Sequence, residues 1–181
     1  MKPTAFLACA GLLFFAGVSV TARAADSTTM PEAGQVAPNF TLPSQTGVPT
    51  SLKNFRGKWV VLYFYPRDMT PGCTIEAHNF QRDLGKYKAD RAVIVGVSVD
   101  STESHQQFCA KESLTFHLLS DTGHNVVSEY GSLGHFGDAT IAMRNTFLIN
   151  PKGKIVKVWT KVNPQVHSDE VLAALAEYEH K

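Results

Sequence analysis

Two apolar runs constrain this chain more than any other feature. Trp59-Val60-Val61-Leu62-Tyr63-Phe64-Tyr65 and Ala92-Val93-Ile94-Val95-Gly96-Val97-Ser98-Val99 are apolar at nearly every position rather than at alternate ones. Neighbouring side chains of a strand point to opposite faces, so each run needs cover on both sides. Strands of that kind lie in the middle of a sheet with other layers packed on each face, which makes the chain α/β. With 181 residues it can bury one such core but not two.

The remaining segments fit around these runs. Asn39-Phe40-Thr41-Leu42 and Thr50-Ser51-Leu52 alternate across a Pro- and Gly-containing connector, which predicts an N-terminal β-hairpin. Phe80 and Leu84 recur at helical spacing, predicting a helix from about Thr74 to Tyr87. Asp100, with Glu103 three residues on, reads as a capped start to a helix that runs to about Glu112 and carries Cys109. A short strand, Phe116–Leu119, and a helix opened by Asp121 and Gly123 and ending near Tyr130 follow, then a Gly-rich loop from Gly131 to Ala139. Strands at Thr146–Ile149 and Lys154–Trp159 flank the turn Asn150-Pro151-Lys152-Gly153, and Ser168 is placed to cap a final helix with Asp169 and Glu170 in its first turn. The order predicts a central mixed sheet flanked by helices on both faces.

Residues 1–24 stand apart. Lys2, the apolar stretch Ala5–Val20 and Ala22-Arg23-Ala24 have the layout of a secretory signal peptide cleaved before Ala25, with an apolar core short for a membrane span. Residues 25–33 read as a flexible lead-in and residues 34–181 as the folded domain. Cleavage removes Lys2, Arg23 and Cys9 but no acid, shifting the formal charge from +1 to slightly negative and leaving two cysteines, Cys73 and Cys109. Without a basic cluster, nothing points to nucleic acid. His117, His124, His135 and His167 match no metal-ligand spacing, so no metal is expected. The expected location is outside the cytoplasm, in a bacterial periplasm, with no stable membrane association after cleavage. No exposed apolar stripe demands a partner, so the chain is read as a monomer, with a dimer as the other arrangement.

The chemistry gathers at Pro66-Arg67-Asp68-Met69-Thr70-Pro71-Gly72-Cys73-Thr74-Ile75-Glu76, where a central strand has ended and a helix begins. Free N–H groups and the positive end of the macrodipole make a thiol at a helix start easier to ionise, and the thiolate is the nucleophile. Arg144 just precedes a strand expected beside the one leading to Cys73, so it is the candidate fixed cation. Thr70 can turn its hydroxyl toward the sulfur or a bound oxygen, or cap the helix. Pro66 and Pro71 stiffen the loop. Glu76, one turn after Cys73, would meet the helix N-terminus or an arginine.

Pro66-x-x-x-Thr70-x-x-Cys73 resembles the signature of the peroxiredoxins. Tyr63 to Ala77 as a whole is similar to their bacterioferritin comigratory protein (PrxQ) subgroup. The likeness extends over about residues 34–178, through Ala37-Pro38-Asn39-Phe40-Thr41-Leu42, Gly96-Val97-Ser98-Val99-Asp100, Leu118-Leu119-Ser120-Asp121, Arg144 to Ile149 and His167 to Leu175. It implies a thioredoxin-like fold and a thiol peroxidase with no metal or flavin. Cys73 would be the peroxidatic cysteine, attacked hydroperoxides leaving it as a sulfenic acid. Thr70, Arg144 and the Cys73 N–H would hold the peroxide, and Pro66 would limit access to the sulfur.

Many members of the subgroup carry a resolving cysteine five residues after the first, where this chain has His78, read as a surface residue. Others carry it in the helix equivalent to that of Cys109. The resemblance therefore makes a Cys73–Cys109 redox disulfide, re-reduced by a thioredoxin-like donor, the expected route, with Cys109 as a buried structural thiol the alternative. Two sulfurs bond only when their Cα atoms come within about 7 Å, so helix unwinding on oxidation is expected. Two other functions compete. A thiol–disulfide oxidoreductase would need a second cysteine where Glu76 stands. A binding domain stapled by a permanent Cys73–Cys109 disulfide would leave Thr70 and Arg144 without a purpose.

Overall fold

The structure, a computed structural model, describes Met1 and residues 29–179. The export signal expected at residues 1–24 lies, apart from Met1, outside the described residues. The lead-in is described only from Thr29, just before Met30, which packs against the core, and Pro31, which is buried.

The two apolar runs become β3 (Trp59–Phe64) and β4 (Ala92–Ser98) of a five-stranded sheet. β3 pairs in parallel with β4, which pairs in parallel with β5 (His117–Ser120). On its other edge β3 pairs antiparallel with β8 (Asn145–Ile149), and β8 with β9 (Ile155–Thr160). The strand order is β5-β4-β3-β8-β9, a mixed sheet as expected. Alternation along β3 divides the core. Val60, Leu62 and Phe64 face a layer formed by the N-terminal hairpin, β1 (Thr41–Pro43) and β2 (Pro49–Ser51), together with α4 (Asn125–Glu129). Val61 and Tyr63 face α1 (Pro71–Arg82), α2 (Leu84–Ala89), α3 (Thr102–Glu112) and α5 (His167–Glu179). Each large side chain buried here contributes roughly 1.5–3 kcal/mol.

Four local expectations are corrected. The helix expected over 74–87 starts earlier, at Pro71, and breaks at Asp83 into α1 and α2. Proline is preset for the first helical position. The break follows from Asp83, whose buried carboxylate accepts from Arg82, Lys86 (2.9 Å) and Ser168 of α5 (2.9 Å). That also explains the second correction: Ser168 lies inside α5, its hydroxyl committed to Asp83 rather than to capping. Third, α3 is capped by Ser101, which accepts from Ser104 N–H at 3.3 Å. The Asp100 carboxylate is taken by the Asp68 N–H (2.9 Å) and the Ser98 hydroxyl (2.6 Å). Fourth, the Gly-rich loop forms a second ribbon, β6 (Leu133–Phe136) against β7 (Ala139–Ala142). Gly137, at φ 56°, takes the first place of its two-residue turn, a conformation open to glycine.

Asp83 joins three segments, and its loss has a defined cost. Burial resists its charge, but the Arg82 hydrogen bond first, then those from Lys86 and Ser168, hold the carboxyl well below the usual range. Asp83→Ala should lower the unfolding free energy by about 2–3 kcal/mol near neutral pH, measured by denaturant melts. The native value being depressed, this stabilisation is present above the ordinary carboxylate range. It fades as pH falls through the native value, so the wild-type and variant melts should converge in acid.

Candidate active site

The β3–β8 register builds the site. Tyr63 lies opposite Thr146, which carries Arg144, two residues before, alongside the end of β3 and the loop that follows. That loop, Tyr65 to Thr70, delivers Cys73 to the third position of α1. Met69 takes a left-handed conformation at φ 58°, and Thr70 is the N-cap residue. The first helical bond runs from Thr74 N–H to the Thr70 carbonyl at 2.9 Å, so the Cys73 amide is among the free donors of the first turn.

Cys73 is a free thiol, 2% exposed. Arg144 Nη2 donates to its sulfur at 3.3 Å, and Nη1 is paired with the Glu76 carboxylate. One planar cation thus bridges the thiol and a carboxylate one helical turn away. Glu76, expected at an arginine or at the helix end, is at the arginine and fully buried, with Oε1 meeting no partner among the described residues. Burial pushes its carboxyl up to about 7 against the opposing pull of Arg144. For Arg144, burial works against the charge, but Glu76 and Cys73 outweigh it and hold the guanidinium more firmly protonated than usual. Of the two partners the carboxylate bears the larger desolvation, its side chain being 1% exposed against 16% for Arg144.

The Thr70 hydroxyl makes no cap bond and donates instead to the Arg67 carbonyl at 3.0 Å, which leaves its oxygen free to accept. Pro66 is half-buried beside an open cleft of about 350 Å³ whose far wall is β7. Gly72 approaches the guanidinium closely: a Cβ there would lie 3.3 Å from Arg144 Nη2. Gly72→Ala should therefore slow the reaction of Cys73 about 3–10-fold through a displaced Arg144. Its melts should be unchanged or up to about 1 kcal/mol more stable, because alanine favours a helix. Stopped-flow kinetics beside denaturant melts would check both.

Cys109 is the other free thiol, partly buried on α3. It is not bonded to Cys73, but both pack on the same face of the sheet. α1 and α3 are neighbours there: exposed His78 lies 2.8 Å from Glu112, and Gln81 bonds Thr115 just beyond α3 at 2.9 Å. Burial, then the charge of Asp68, pushes the Cys109 thiol up to about 11. The Tyr63 phenol is held well above its usual value by burial first and then by Glu76, Cys73, Asp68 and Cys109, so it senses both thiols.

A second buried polar group adjoins the loop, and the sequence gives little reason to single it out. Asp68 accepts from Tyr65 Oη (2.7 Å), Ser104 Oγ (2.7 Å) and His105 Nδ1 (2.8 Å). The one signal in the sequence is that His105 precedes Cys109 by four residues, placing both on one side of a helix.

The chain is similar to known proteins over most of its length. The AhpC/TSA family matches residues 33–158. Peroxiredoxin Bcp of Bacillus subtilis is 40% identical over 154 residues, covering 83% of this chain and 98% of that protein. The chloroplastic peroxiredoxin Q of Sedum lineare is 44% identical over 144 residues, covering 78% and 76%. Among solved structures, a cysteine-to-serine mutant of Xylella fastidiosa PrxQ superposes with a TM-score of 0.79 at 32% identity, covering 83% of this chain and 99% of the other. Fold and site define a thioredoxin-like thiol peroxidase. The chain belongs to the AhpC/TSA family and, within it, to the peroxiredoxins of the Bcp/PrxQ type.

Proposed function

We propose that this peroxidase works through Cys73 as the peroxide-attacking thiolate and Cys109 as its resolving partner. The observation that carries the proposal is Arg144 Nη2 at 3.3 Å from Cys73 Sγ in the first turn of α1, with Glu76 fixing the other arm of the guanidinium. Sulfur attacks the terminal oxygen of a hydroperoxide, the O–O bond breaks, the peroxide's own proton passes to the departing oxygen as water or alcohol leaves, and the sulfenate left on Cys73 takes a proton from solvent to become the sulfenic acid. Thr70, its hydrogen committed to Arg67, accepts the hydrogen bond of the incoming hydroperoxide. Arg144 and the Cys73 amide face the charge as it moves from sulfur to oxygen, and Pro66 restricts approach. Cys109 then displaces hydroxide from the sulfenic acid, and a thioredoxin-like dithiol reopens the disulfide. Both hydrogen peroxide and organic hydroperoxides are proposed substrates. Alkyl peroxide reduction is the activity named for a solved structure of Xanthomonas campestris bacterioferritin comigratory protein, 36% identical to this chain, which supports the second class.

The thiol–disulfide oxidoreductase alternative is not favoured, since Glu76 occupies its second cysteine position and is buried against Arg144. Export to the periplasm rests on residues 1–24 and is tested by whether the mature protein begins at Ala25. That location would make the reductant a periplasmic thioredoxin-like protein. For the chemistry, the reduced protein is mixed with either peroxide class. One equivalent should vanish rapidly with loss of both thiols; slow consumption, or thiols that survive it, would overturn the proposal.

A further inference from the structure

The resolving step needs a base, because Cys109 sits partly buried as a thiol that gives up its proton reluctantly. We propose that His105 is that base, taking the Cys109 thiol proton as Cys109 attacks the sulfenic acid on Cys73, and that Asp68 orients it. The inference rests on the assignment of Cys109 as the resolving cysteine.

The hydrogen-bond network assigns the hydrogen on the imidazole. Tyr65 commits its hydroxyl hydrogen to Asp68 Oδ1 at 2.7 Å, so at 3.3 Å from His105 Nδ1 its oxygen can only accept. Asp68 Oδ2, 2.8 Å from the same nitrogen, accepts as well. Nδ1 therefore carries hydrogen, and in the neutral form of the ring Nε2 is the nitrogen with the lone pair. His105 is 0% exposed, and Nε2 meets no hydrogen-bond partner among the described residues. A buried polar atom without a partner is costly and calls for a reason. Cys109 stands one helical turn away on the same side of α3, among the side chains that pack with Tyr63, Tyr65 and Cys73. A nucleophile one helical turn from a base, with a carboxylate behind the base, supplies the parts for activating a thiol, and the turn carrying Cys109 has to move for its sulfur to meet Nε2.

The same bonds determine which part of α3 can move. Ser101 caps the helix, and Ser104 and His105 are both tied to Asp68, so the first turns are held against the loop. The turn carrying Cys109 lies beyond those bonds; its tie is to α1, through Glu112 at 2.8 Å from His78, and it ends at Ser113 in a left-handed conformation.

The step balances. The Cys109 S–H bond breaks and its proton goes to Nε2. The thiolate bonds to the Cys73 sulfur as the S–O bond breaks. The departing hydroxide takes the proton back from His105 and leaves as water. Cys109 sulfur is oxidised, Cys73 sulfur is reduced, and no outside oxidant enters. The titratable groups that touch the imidazole are Tyr65 and Asp68, and Cys109 lies one turn further along α3. The Tyr65 phenol is held protonated well above its usual range, chiefly by burial.

The test mixes reduced protein with one equivalent of hydrogen peroxide and quenches it at intervals. Mass spectrometry with a sulfenic-acid trap then times sulfenic-acid formation and disulfide closure separately. In His105→Gln, closure should slow about 10²-fold more than sulfenic-acid formation does. Its rate should climb about tenfold per pH unit from pH 6 to 9, because only pre-ionised thiol then reacts, while the wild-type profile stays shallow. Asp68→Asn should shift closure in the same direction, since an amide can donate to Nδ1 and move the hydrogen to Nε2. Equal slowing of both steps, closure unaffected in both variants, or a wild-type profile that itself climbs tenfold per unit would overturn the base while leaving Cys109 as resolver. If the wild type forms no Cys73–Cys109 disulfide, both assignments fall together.

Discussion

Cys109→Ser should consume one equivalent of peroxide and then stop. Its first reaction draws on Arg144, the α1 N-terminus and Thr70, none of which the substitution touches. Turnover with a dithiol donor should fall at least about 10²-fold, because the intramolecular partner has the advantage of proximity over any thiol from solution. The sulfenic acid should persist long enough to trap, and excess peroxide should drive it to sulfinic acid faster than in wild type. Geometry adds a second readout. Cys73 sits in the first turn of α1 and Cys109 near the end of α3, and bond formation requires their Cα atoms to come within about 7 Å. The segments free to move are identifiable. The first turn of α1 lacks a side-chain cap and follows Met69 at φ 58°, a conformation costly for a residue with a side chain. The last turn of α3 lies beyond the Asp68 clamp. Oxidised wild type should lose amide-exchange protection near residues 70–76 and 108–112, and oxidised Cys109→Ser should keep it. Normal turnover by the variant would show that Cys109 does not resolve.

What the sequence reveals of this structure divides along a physical line. β3 and β4 were legible because burial on both faces leaves a local signature, an unbroken apolar run. Arg144 was legible as a neighbour of Cys73 because strand adjacency follows from strand order, and the Tyr63–Thr146 register turns adjacency into contact. The break at Asp83 was not, because one of the three donors its buried carboxylate gathers is Ser168, 85 residues away, and helical periodicity carries no trace of it. The β6–β7 ribbon was hidden by its glycines, which read as loop although Leu133–Phe136 and Ala139–Ala142 pair in register. Glu76 was legible as a partner for an arginine but not in its depth, since a carboxylate in an early helical turn is ordinarily solvated. The Asp68–His105 pair was invisible for a related reason. Its members are 37 residues apart, and only the folded chain shows that the loop and α3 share one buried acceptor.

Arg144→Met should reduce the rate of Cys73 with peroxide by about 10²–10³-fold, the usual cost of losing a donor aimed at developing charge. The same change strands Glu76, so activity and stability must be separated, and pH does so. The native Glu76 carboxyl, raised to about 7, holds its proton more tightly than it does in the unfolded chain. Its contribution to stability is therefore full below the ordinary glutamate range and is lost as pH rises through about 7, a decline of about 3 kcal/mol. Arg144 is what limits that decline, because its charge lowers the native value against burial. Without it the native value rises further and the decline continues to higher pH. Arg144→Met should then melt close to wild type at pH 5, where Glu76 is protonated in both proteins, and progressively below it as pH rises from 7 to 9. Adding Glu76→Gln replaces the ionisable group with a neutral one of the same shape. The double variant should regain stability at pH 9 and flatten the pH dependence, yet recover none of the lost rate. If the rate returned with the stability, Arg144 would serve Cys73 only by balancing Glu76, and its bond to the sulfur at 3.3 Å would have no part in the chemistry. If neither returned, the desolvation of Glu76 would not be what makes the single variant fragile.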